Sequence, residues 1–172
     1  MLLTFKNLNR FLVLSFAAII LAACTTTPQD TASTSSSSSS ASKVEVVDGV
    51  YVGTDTVEML AVDVPDRVFF AYDSYSLTSA AQSTLAKQAK WLKANGSVTI
   101  AIEGHADERG TREYNLALGE RRANAAKDYL MTYGISSNRI SVLSYGKERP
   151  VDSGSNPLAW SKNRRSVTVK AN

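Results

Sequence analysis

The sequence predicts a single domain of the α/β (α+β) class, with order β-α-β-α-β-(α)-β and a mixed sheet carrying its helices on one side. Three observations predict it. Short β-branched runs alternate with segments of helical apolar periodicity, giving two strand–helix–strand units whose crossovers are expected to be right-handed. Both helical segments close on stop signals, Asn95-Gly96 and Gly134. The compact part spans about 105 residues, enough for one small core.

The chain opens on what reads as a lipoprotein signal peptide, residues 1–23. Lys6 and Arg10 are its only charges, and Phe11 to Ala23 is an apolar run too short for an easy membrane span. Leu21-Ala22-Ala23-Cys24 has the form of a bacterial lipobox, with cleavage before Cys24. An ordinary secretory signal with an incidental cysteine is the alternative. Cys24 is the one cysteine in the chain and stands where lipidation needs it. One acyl chain binds a bilayer marginally, whereas two or more anchor stably. Thr25 replaces the Asp that typically retains such lipoproteins in the inner membrane, so the outer membrane is expected. Residues 24–43 are rich in Ser and Thr and read as a flexible tether, spanning roughly 65 Å at full extension and about 25 Å as a coil. Residues 44–65 read as a lead-in segment, loose or forming one or two edge strands.

The folded domain is placed at 66–172. Arg67 to Tyr72 is strand-like. Thr78 resembles an N-cap, and Ala81, Leu85, Ala89 and Leu92 recur at helical spacing over Ser79 to Ala94. Val98 to Ile102 reads as a central strand. A second helix is expected from about Thr111 to Tyr133, with Thr111 as cap and Glu113 in the first turn. Ile140 to Tyr145 reads as a third strand, Gly146 to Asn156 as a loop, Leu158 to Asn163 as a helical turn and Arg165 to Lys170 as a last strand.

Composition excludes several functions. There are 19 basic and 16 acidic residues, and removing Lys6 and Arg10 leaves 17 against 16, so no charge excess points to nucleic acid. One histidine, His105, and no free cysteine make a zinc site a matter of several carboxylates, and no metal or other cofactor is expected. No serine sits in a nucleophile elbow. Asp73 and Asp107 could do acid–base work on a glycan, but Arg122 nearby would keep both ionised. The chain is therefore expected not to be an enzyme.

The informative stretch is Glu103 to Ala123. Asp107 lies before the second helix, and Asn115, Leu118 and Arg122 share one face of it at i, i+3 and i+7. A carboxylate and a guanidinium at one rim can hold a ligand bearing an amine and a carboxylate. The bland reading stands beside this. Glu108, Arg109, Arg112 and Glu113 suit a solvated face, Asp107 suits a helix cap, and spacing alone leaves both readings open.

Gly104-His105-Ala106-Asp107-Glu108-Arg109-Gly110 with its helix, Val142 to Pro150, and Trp160-Ser161-Lys162-Asn163-Arg164-Arg165 together resemble the family of peptidoglycan-associated lipoproteins, whose domain is of the OmpA C-terminal type. The resemblance implies non-covalent binding of peptidoglycan through the diaminopimelate of the stem peptide. It implies that Asp107 pairs with the ammonium and Arg122 forks onto the carboxylate. Asp73 falls at another ligand-binding aspartate, Tyr72 and Leu118 line the pocket, and Asn115 fixes the loop or touches ligand. The family commonly has Gly-Phe-Asp, then Tyr and a second Asp, where this chain has Ala71-Tyr72-Asp73, then Tyr75 and Ser76. The resemblance further implies a tether between outer membrane and cell wall within the Tol-Pal system at cell division, with TolB as partner and TolA as a second candidate. Two rivals are a wall-anchoring lipoprotein of a secretion or stator complex, and a cell-wall hydrolase.

Overall fold

The computed structural model describes residues 46–171. The expected signal, Cys24 and the tether lie outside the described residues, as do Val44 and Glu45 at the start of the lead-in.

The remaining lead-in residues form two hairpins, β1 (Val46–Val47) with β2 (Val50–Tyr51), and β3 (Met59–Ala61) with β4 (Val64–Pro65), neither joined to the main sheet. Each turns on a residue with positive φ, Asp48 and Gly49 in the first and Asp63 in the second. Asp tolerates that region better than most side chains.

The main sheet contains β5 (Arg67–Phe69), β6 (Thr99–His105), β7 (Ile140–Gly146) and β8 (Arg165–Ala171) in the order β5-β8-β6-β7. β6 runs parallel to β7, and β8 is antiparallel to both β5 and β6, so the sheet is mixed. The two parallel strands are joined by helix α2 (Arg112–Thr132), as parallel pairs require a crossover. Helix α1 (Ser79–Ala94) begins at Thr78, whose hydroxyl accepts the Ala81 amide, and α2 begins at Thr111, which accepts from Tyr114. A third helix, α3 (Pro157–Asn163), is capped by Asn156 and carries proline in its first turn, where the missing N–H costs nothing.

One core joins Leu85, Ala89 and Leu92 of α1 to Ala123, Ala126 and Leu130 of α2 over Ile100 and Ile102 of β6. Ile100 and Ile102 alternate with half-buried Ala101 and Glu103, so both helices cover the same face of the sheet. Strand β6 extends past the expected Ile102 to His105, because it pairs on both sides and its ladder continues into the loop. Here α2 and the sheet touch: a Cβ on Gly104 would run into the Gly119 carbonyl. That contact brings the helix face carrying Leu118 and Arg122 to the end of the strand that leads to Asp107.

Candidate functional site

Two loops and one helix face build the site. The first loop leaves β5 at Phe70, and the second leaves β6 at His105. Asn115, Leu118 and Arg122 of α2 are 2%, 5% and 0% exposed, so the face predicted from their spacing is buried between those loops. Tyr72, Asp73, Asp107, Arg109, Gly110, Tyr114, Asn115, Leu118 and Arg122 line a cavity of about 260 Å³. All six ligand-binding residues expected from the sequence, Tyr72, Asp73, Asp107, Asn115, Leu118 and Arg122, therefore meet at one hollow.

These residues also hold the two loops and one another. Arg122 holds main chain: Nε donates to the Ser74 carbonyl at 2.8 Å, Nη1 to His105 at 2.8 Å and Nη2 to Ala71 at 3.1 Å. It thus clamps both loops, and two of its five N–H groups remain beyond those three bonds. Burial, then the neighbouring Arg164 guanidinium, pulls its pKa down to about 10. Asn115 fixes the loop, donating Nδ2–H to the Arg109 carbonyl at 2.8 Å.

Asp107, 4% exposed, already has cationic partners. Its Oδ1 accepts the backbone N–H and Nε–H of Arg109, each at 3.1 Å. Its Oδ2 accepts from Arg109 Nη2 at 2.6 Å and Arg164 Nη1 at 3.1 Å. Burial alone would raise the Asp107 pKa, but the bonds from Arg109 and Arg164 outweigh it and hold the carboxyl below its usual range. Asp73 is exposed, takes positive φ and accepts the Tyr114 hydroxyl.

Sequence reasoning missed three participants. Arg109, read as part of a solvated face, chelates Asp107 and lies 4.1 Å from the Tyr72 ring centroid and 4.2 Å from that of Trp160. Glu108 accepts the Trp160 indole N–H at 2.8 Å and the Ser155 hydroxyl at 3.0 Å. Arg164 sits within the motif quoted above, and no local pattern in the sequence marks that it turns inward to Asp107.

His105 does not line the cavity. Its ring stacks on Tyr145 at 5.5 Å between centroids and is 2% exposed. Burial, then Arg165, Arg67 and Arg149, pushes its pKa down to about 3. The unfolded chain therefore binds this proton first. The stabilisation from the neutral ring is complete above the unfolded pKa of about 6.5 and is lost progressively as pH falls toward the folded value. Urea unfolding is expected to show stability dropping by roughly 1 kcal/mol per pH unit from about pH 6 to about pH 5, a window above most of the carboxylate titration. His105→Gln should flatten that slope; an equal slope in both proteins would contradict the assignment.

These features define the class: a small mixed-sheet domain whose loop–helix junction holds carboxylates and guanidiniums around one hollow. The OmpA family model matches residues 69–164, and the chain belongs to the OmpA family. It is 56% identical over 108 residues to the peptidoglycan-associated lipoprotein of Mesorhizobium japonicum, a match covering 63% of this chain and 64% of that protein. The figures are the same for the protein of that name from Brucella melitensis, so the match spans just under two thirds of each relative's length. Among solved structures, the chain resembles the peptidoglycan-associated lipoprotein of Burkholderia pseudomallei with TM-score 0.60 and 40% identity, covering 62% of this chain and 90% of that one.

Proposed function

We propose that the protein is an outer-membrane lipoprotein that binds peptidoglycan without covalent attachment, through the free zwitterionic end of diaminopimelate in the stem peptide. One observation carries the reading: carboxylates and guanidiniums from three separate elements line a single small hollow with Leu118 and two tyrosines. A larger cavity of about 390 Å³, lined chiefly by Val47, Val50, Tyr51, Val57 and Phe69, is too apolar to suit a doubly charged group.

In this reading the ligand's ammonium takes the acidic edge made by Asp73 and Asp107. Arg109, whose side chain is 34% exposed, gives up part of its hold on Asp107 to admit it. The ligand's carboxylate accepts the N–H groups of Arg122 that the loop carbonyls leave over. Acyl chains on Cys24 hold the far end in the outer membrane, and residues 24–43 span the gap. Many weak sites along one wall act together, so each need not be tight. The Tol proteins TolB and TolA are the proposed partners, and the setting is envelope constriction at division.

The test is a calorimetric titration with a diaminopimelate-containing tripeptide and with the same tripeptide carrying lysine instead. Lysine keeps the ammonium and lacks the carboxylate. The lysine peptide is expected to bind at least about 30-fold more weakly, the equivalent of a lost buried charge contact. Equal affinity for the two peptides would remove the reading.

A further inference from the structure

The site is joined to the lead-in by one buried side chain. Arg164 is 4% exposed, and its guanidinium reaches three places. Nε donates to the Phe70 carbonyl at the end of β5 at 3.1 Å. Nη1 donates to Asp107 Oδ2 at 3.1 Å, and Nη2 to the Gly49 carbonyl at 2.5 Å. A planar fork tied at three points has its orientation fixed, which sets the direction of the bond it gives Asp107.

The Gly49 carbonyl is itself firmly placed. Asp48 and Gly49 form the two-residue connection between β1 and β2, with φ of 50° and 74°. Positive φ at both central residues marks a type I′ turn, for which Asp-Gly is a preferred sequence. The hairpin is seated on the domain by Tyr51, 1% exposed, edge-on to Phe69 at 4.8 Å. Beyond it, Asp55 accepts from Lys162 Nζ at 2.8 Å. These contacts all lie on the side of the domain where α3 passes into β8, next to Arg164.

We propose that the Asp48–Gly49 turn is a positioning element for the ligand site: its carbonyl orients Arg164, and Arg164 in turn holds Asp107. Arg164 is thus a positioning residue that acts through Asp107. Without the turn, Nη2 would have a buried N–H and no acceptor, and the fork would swing off the carboxylate. The lead-in is then part of the binding apparatus as well as the connection to the tether.

The test uses the full chain with Gly49→Pro and, as control, Asp48→Asn. Proline fixes φ near −65° and cannot take the positive φ of this turn. Asn-Gly keeps the turn type. Two quantities are read: the titration of the Asp107 carboxyl carbon by NMR, and affinity for the diaminopimelate tripeptide. Core resonances of Ile100 and Leu130 report whether the domain stays folded. Gly49→Pro is expected to raise the Asp107 pKa and weaken the peptide about tenfold, with Asp48→Asn unchanged in both. An Asp107 titration unmoved by Gly49→Pro overturns the proposal, whatever happens to affinity. The affinity arm rests on the function proposed above and the titration arm does not. A protein that ignores the peptide while its Asp107 titration shifts in Gly49→Pro would overturn that function and support the positioning role.

Discussion

Arg122→Ala is expected to destabilise the domain by about 4 kcal/mol, in addition to removing the ligand contact proposed for it above. A ligand-holding arginine on a rim would be replaceable at little cost to the fold, and the sequence alone suggests that arrangement. The structure places Arg122 at 0% exposure with three carbonyl partners from two loops, and its guanidinium lies 5.3 Å from the Phe70 ring centroid. Truncation leaves the Ala71, Ser74 and His105 carbonyls without their donor and opens a void beside Phe70. Each lost partner in a dry setting costs about 1–3 kcal/mol, reduced wherever water enters the void. A loss of this size should lower the melting temperature by well over about 10 °C. Arg122→Lys should fall between the two, because an ammonium on a flexible stem cannot span the same three acceptors. A melting temperature within about 3 °C of the unaltered protein would show that the carbonyl contacts carry little.

Parts of this fold are legible in the sequence and parts are not. Helix α1 was readable to the residue because its signals are local: a Thr78 cap, apolar spacing at Ala81, Leu85, Ala89 and Leu92, and an Asn95-Gly96 stop. The face of α2 that meets the site was readable for the same reason. The insertion of β8 between β5 and β6 was not, because chain order says nothing of which strands become neighbours. The lead-in was legible only as a loose segment or one or two edge strands, and its pairing into two separate hairpins was not, because strands of two or three residues show almost no periodicity. At the site, the residue types were legible and their partners were not. Arg122 binds carbonyls, which every residue carries and no sequence pattern marks. Arg164 reaches Asp107 across 57 positions of chain.

Asp107→Asn is the second large effect, expected to cost about 3 kcal/mol at neutral pH. The substitution keeps the shape and removes the anion that accepts from the guanidiniums of Arg109 and Arg164 and lies near that of Arg122. It also turns an amide N–H toward a donor on one side. Arg109 can recover by turning to solvent, since its side chain is 34% exposed. Arg164, with its side chain 5% exposed, cannot, so most of the loss arises there. The pH dependence identifies the cause. The Asp107 carboxyl is held below its usual pKa, so its contribution is complete above the unfolded value of about 3.9 and disappears as pH falls through the folded value. The stability difference between the two proteins should therefore be constant from about pH 7 to pH 5 and shrink in more acid solution. Denaturant unfolding across that range measures it. A difference that persists unchanged at about pH 2 would assign the loss to packing and not to charge, and Asp107 would then be a spacer between the arginines.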